Sequence, residues 1–117
     1  MLEIYEIEGS YSMKKKKGCF DGDTCIRLLL DKSLDPGLRG DAADSLMHYA
    51  KPQACRAMLG VIHDESEDFD LREEVAEYLG SLWAEMEYNQ KDFDAIPEPF
   101  KAALVREFEM CRNSCQN

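Results

Sequence analysis

The stretch LDPGLRGDAADSL, residues 34–46, returns in altered form as DFDLREEVAEYL, which ends at Leu79, 33 residues after Leu46. Superposed, the copies pair Leu38 with Leu71, Arg39 with Arg72, Asp41 with Glu74, Ala42 with Val75, Ala43 with Ala76, Asp44 with Glu77 and Leu46 with Leu79. Self-similarity at a fixed period is the strongest constraint that a chain can place on its own fold, because equivalent segments adopt equivalent structures and bury their apolar faces on one another. At 117 residues the chain has room for one domain, so both copies share one core.

The copied segment is helical. Leu71, Val75, Leu79, Leu82 and Met86 recur at helical spacing and form one apolar stripe, with acids on the other side. Asp35 followed by Pro36 is an N-cap and first-turn pair, and Asp70 or Asp68 can cap the second copy in the same way. Each copy is preceded by another apolar stretch, CIRLLLDKSL before the first and CRAMLGVIHDES before the second, in which Ile26, Leu29 and Asp31 match Leu59, Ile62 and Asp64 at the same step. The unit is therefore a helix pair. Pro52 starts a new helix after Ala50, and DAIPEP breaks the chain before a last amphipathic helix. The expected helices cover about residues 22–33, 36–50, 52–64, 70–88 and 98–112, after a weak helix or turn within 2–12. LEIYEIE could instead be a short strand. Residues 1–20 are otherwise weakly specified, with Lys14 to Lys17 reading as a basic loop or as a clamp on an acidic partner.

Charge is distributed unevenly. Residues 64–98 hold 13 of the 24 acids against Arg72 and Lys91 alone, a net of −11, while the remainder of the chain nets +1. Such a field repels free nucleic acid and attracts basic surfaces. Tyr78, Trp83, Tyr88 and Phe93 are interleaved with these carboxylates, as anchors at a protein interface would be. The expected partner-binding residues are Asp64, Glu65, Glu67, Asp68, Glu73, Glu74, Glu77, Trp83, Glu85, Glu87, Tyr88, Asp92 and Asp94. A competing surface would use helices near 52–64 and 98–112.

Other chemistry finds little support. Cys19, Cys25, Cys55, Cys111 and Cys115 are odd in number and contain no CxxC pair, which suits reduced thiols serving as small apolar fillers. The opening MLEIYEIEGS lacks a basic flank and a long apolar run, so a cytosolic address is expected and a membrane span is not. Cys111 and Cys115 lie one helical turn apart, yet no second pair completes a zinc site. DGDT and DESEDFD lack the glycine and glutamate of a calcium loop. No nucleophile elbow, zincin motif or phosphate loop occurs, and His48 and His63 read as ordinary helix residues. No cofactor and no turnover are expected. Arg39 and Arg72 read as structural, with Asp31 and Asp64 as expected ion-pair partners.

Over roughly residues 24–86, LLLDKSLDPGLRGDAADSL and VIHDESEDFDLREEVAEYL resemble the HEAT-like repeat, whose junction is similar to LL-x-D, a short loop, then L/V-R-x-x-A-A-x-x-L. The 33-residue period is shorter than the roughly 40 to 47 of ordinary HEAT units. The resemblance implies an all-α fold: a short α-solenoid of about three stacked antiparallel helix pairs. With size and charge, it also implies kinship with the small HEAT-like immunity proteins of bacterial contact-dependent growth inhibition and other polymorphic toxin systems. Those neutralise the C-terminal toxin domain of the effector, here a nuclease. Two other readings are a HEAT-like adaptor for another cellular protein and a helper similar to the HEAT-like phycobilin lyases.

Overall fold

The computed structural model describes residues 21–49 and 52–116, and the N-terminal helix or strand, the Lys14 to Lys17 run and Cys19 lie outside them. Every regular element among the described residues is helical. The helices are α1 (Gly22–Leu30), α2 (Pro36–Leu46), α3 (Pro52–His63), α4 (Phe69–Trp83), α5 (Gln90–Asp94) and α6 (Phe100–Gln116).

Aspartates start the helices that the sequence marks. Asp21 accepts the Thr24 N–H at 2.8 Å, Asp35 that of Gly37 at 2.9 Å and Asp68 that of Leu71 at 3.0 Å. Of the two candidates before α4, Asp68 is thus the cap, and Asp70 sits in the first turn, where its charge complements the helix dipole.

Several boundaries differ from the expected ones. α1 stops at Leu30 because Asp31 turns extended and its carboxylate accepts both the backbone N–H (3.0 Å) and the hydroxyl (2.6 Å) of Ser33. Asp64 repeats this turn with Ser66, at 2.9 and 2.6 Å. α2 ends at Leu46, and the next three N–H groups bond three residues back, to Asp44, Ser45 and Leu46. α4 ends at Trp83 instead of continuing to 88, and the separate short helix α5, unforeseen in the sequence, begins where Asn89 accepts the Lys91 N–H at 2.8 Å. Glu85 and Glu87 put negative charge at the negative end of α4, which disfavours extending it.

Packing follows the repeat. α1 lies on α2 and α3 on α4, with α1 beside α3, α2 beside α4 and α4 against α6. The equivalent pairs Leu29 and Ile62, Ala43 and Ala76, and Leu46 and Leu79 are all fully buried. The α4–α6 contact is the most extensive among the described helices. A Cβ on Gly80 would collide with the Leu104 carbonyl oxygen, so only glycine lets these two backbones approach so nearly.

The repeated arginines hold the junctions together. Arg39 Nε donates to the Leu29 carbonyl at 2.8 Å, and Arg72 Nε to the Ile62 carbonyl at 2.9 Å. Each thereby satisfies a carbonyl left open at the end of the preceding helix. The expected ion-pair partners are corrected by the structure, since Asp31 and Asp64 are turned toward their serines. Arg39 instead forms a bidentate pair with Glu67, and the Arg72 guanidinium lies 4.3 Å from the centre of the Phe100 ring. Both partners stand 28 residues after their arginine, in the following unit. Lys32 adds a parallel tie to Asp64 at 2.6 Å.

Candidate partner-binding surface

The thirteen residues expected to bind a partner do not form one face. Asp64, Glu65, Glu67 and Asp68 lie at the α3–α4 junction, Glu73, Glu74, Glu77 and Trp83 on α4, and Glu85, Glu87, Tyr88, Asp92 and Asp94 along the connection to α5 and on it.

At the junction most of the charge is used internally. Lys32 and Ser66 hold the Asp64 carboxyl well below the usual carboxylate range. Glu67 has a side chain only 6% exposed and is enclosed with Arg39, so its charge is spent inside the fold. Asp68 is occupied as the α4 cap, and Glu65 is exposed without a cation among the described residues.

Two of the aromatics expected at an interface are committed to the fold. Trp83 is 3% exposed and stacks on Tyr88, with ring centres 5.1 Å apart. Tyr88 in turn meets Phe93 at 6.0 Å and Phe108 edge-on at 5.6 Å. These contacts tie the segment after α4 back onto Trp83 and onto α6.

The outer side of α2 and α4 carries the crowded charge. Asp41 and Glu74 are equivalent in the repeat, as are Asp44 and Glu77, and the adjacent helices bring Asp41, Asp44 and Glu74 together around Tyr78. Burial, and then the charge of Asp44, raises the Asp41 pKa. Tyr78 is raised still further by burial, by its 2.8 Å hydrogen bond to Glu74, and by the charges of Glu74, Asp44 and Asp41. Gly40 makes room for this arrangement, because the Glu74 carboxylate would lie 2.7 Å from a Cβ there. Glu77 is bonded to Arg106 at 3.0 Å, whereas Asp41, Asp44 and Glu73 face no cation among the described residues. Asp41 and Asp44 were missed by sequence reasoning because they lie in the near-neutral part of the chain. Their 33-residue offset from Glu74 and Glu77 was the signal that could have found them.

Among the described residues, no group of three His, Cys, Asp or Glu side chains is placed to hold a metal ion. Burial, and secondarily the charge of Asp21, pushes the Cys25 thiol up to about 11, so it stays protonated at neutral pH. Cys55 is also raised by burial, and its sulfur rests 3.8 Å from that of Met86. His48 and His63 are exposed. A hollow of about 280 Å³ is bordered by Asp21, Asp23, Ile26, Tyr49 and Gln53. Asp21 is already engaged there as the α1 cap. No described helix is long and apolar enough to cross a membrane.

Compared with known proteins, the chain matches no family profile, no curated sequence and no solved structure.

Proposed function

We propose that this chain is a binding protein without turnover of its own, an immunity protein that neutralises a basic toxin domain, most simply a nuclease. The observation that carries the reading is the uncompensated negative charge on the outer side of α2 and α4. Asp41, Asp44 and Glu74 stand around Tyr78, where burial, and then the hydrogen bond and charge of Glu74 with the charges of Asp44 and Asp41, raise the Tyr78 pKa, while burial, and then the charge of Asp44, raises that of Asp41. Like charges held together cost stability in the free protein, and a cationic partner relieves that cost on binding. A nuclease presents such a surface, since its cleft must hold phosphates. Glu73, Asp70, Glu85, Glu87, Asp92 and Asp94 widen the field that steers the encounter.

The test uses the C-terminal domain of the effector encoded immediately upstream. Co-expression should protect cells from that domain, and purified proteins should associate faster at low than at high salt. Replacing Asp41, Asp44, Glu73 and Glu74 by their amides should slow association and flatten its salt dependence, because exposed charges act mainly on encounter over about 8–10 Å at physiological ionic strength. An upstream gene without a toxic domain, or a four-amide variant that associates as fast as the parent at low salt, ends the reading.

A further inference from the structure

Gly40 is buried in the middle of α2, where its backbone is ordinary helix. Glycine is the poorest helix former after proline, and the second copy carries Glu73 at the equivalent place, so the repeat itself does not call for a missing side chain there. What calls for it is one carboxylate. A Cβ on Gly40 would stand 2.7 and 2.8 Å from the two Glu74 carboxylate oxygens and 2.9 Å from their carbon, the three nearest atoms outside the backbone of α2. At Gly80, by contrast, the nearest atoms are main-chain atoms of α6. Gly80 lets two helices approach, whereas Gly40 lets a side chain of α4 lie against α2.

Glu74 is fixed in that place from its own helix. Tyr78, one turn on, donates its hydroxyl to Glu74 Oε2 at 2.8 Å. The other oxygen, Oε1, accepts no hydrogen bond among the described residues. Glu74 thus offers one open acceptor at a set position beside α2, and Asp41 and Asp44 of that helix are near enough to act on the same tyrosine. A side chain at position 40 would oblige the carboxylate to swing away and break its bond to Tyr78. A long acidic side chain that is free to move must be ordered when a partner binds, and one already held in place escapes that cost.

We propose that Gly40 is a positioning residue of the partner-binding surface: it keeps open the place in which Tyr78 fixes Glu74, so that Glu74 Oε1 meets a cationic group of the partner already oriented. The partner's part in this rests on reading the chain as a binder of a basic protein, whereas the Gly40, Glu74 and Tyr78 arrangement does not.

Gly40→Ala changes no charge, and two double-mutant cycles on the full-length chain test its role. The first uses chemical denaturation and no partner. Tyr78→Phe should lower the folding equilibrium constant about tenfold in the parent, by loss of a bond to a charged acceptor, but less than about twofold in Gly40→Ala, where that bond is already gone. An equal loss in both backgrounds would overturn the proposal. The second cycle measures binding to the toxin domain encoded upstream. Gly40→Ala should speed dissociation about tenfold and leave the association rate and its salt dependence within about twofold, because encounter follows charge and residence follows fit. With Glu74→Ala in place it should change neither. Dissociation indifferent to Gly40→Ala, or equally quickened when Glu74 is absent, would overturn the proposal while the four-amide result still upholds the reading of function. A parent chain that binds no toxin domain would end both. If Gly40→Ala does not fold, its combination with Glu74→Ala decides: recovery of the fold supports the role of the carboxylate, and a double variant that is still unfolded assigns the glycine to backbone packing and overturns it.

Discussion

The two helix pairs meet the same junction problem with different partners. Both use an arginine to bond a helix-terminal carbonyl, at 2.8 Å from Arg39 and 2.9 Å from Arg72. Beyond that bond they diverge, since Arg39 enters a buried bidentate pair with Glu67 while Arg72 lies over the face of Phe100. The arginine's place is set within its own pair, but the energy it contributes is set by whatever the following unit presents 28 residues later. A carboxylate there produces an enclosed charge pair that is costly to break, and an aromatic ring produces a weaker, more forgiving contact.

That contrast can be broken from the strong side first. Glu67→Ala should destabilise the protein by about 3–5 kcal/mol in chemical denaturation, because it leaves the Arg39 charge enclosed without its counter-ion. Replacing both residues, Arg39→Met with Glu67→Leu, should recover much of the loss, and a double variant no better than Glu67→Ala would show that the carbonyl bond is the part that matters. Trp83→Ala should fall in the same range of about 3–5 kcal/mol, read as a lower melting point. Core substitutions come next. Leu46→Ala and Leu79→Ala should each cost about 2–5 kcal/mol, with Leu79 higher because α4 is packed on both flanks. A loss below about half a kcal/mol at both would contradict the shared core. Gly80→Ala should cost about 1–3 kcal/mol by forcing α4 and α6 apart. On the weak side of the comparison, Arg72→Ala should cost only about 1–2 kcal/mol, the sum of an aromatic contact and one hydrogen bond.

The smallest effect is a pH dependence. Asp64 has its folded pKa lowered from 3.8 by Lys32 and Ser66. Its contribution is therefore fully present above that value and is lost as pH falls through the folded one. The stability difference between the parent and Asp64→Asn should be constant at neutral pH and shrink in acid below about 4, and a difference that grows on acidification would reverse the assignment.

Apolar spacing and capping residues were sufficient to foresee the helix pairs, since Leu46 and Leu79, or Asp35 and Pro36, act through local rules that the chain states directly. What escaped was whatever depends on a neighbour not adjacent in sequence. Glu67 read as one acid among many because nothing local shows that Arg39 reaches it. Trp83 read as a surface anchor because the end of α4, which lets it stack on Tyr88, leaves only the weak local mark of Glu85 and Glu87. The surface suffered in the same way. A window of net charge found the block at 64–98 and passed over Asp41 and Asp44, whose neighbours in space are Glu74 and Tyr78.

Arg39 and Arg72 also bear on how the molecule melts. Each binds a carbonyl in its own pair and a side chain in the next, so loosening one unit removes a ligand from its neighbour's arginine. In the language of a one-dimensional chain of coupled units, most of the nearest-neighbour coupling passes through packed helix faces, but these two side chains make it sensitive to single atoms. Weakening Arg39 would therefore broaden the thermal transition as well as lower it, and calorimetry would record a van't Hoff enthalpy smaller than the calorimetric one as the first pair begins to open ahead of the second.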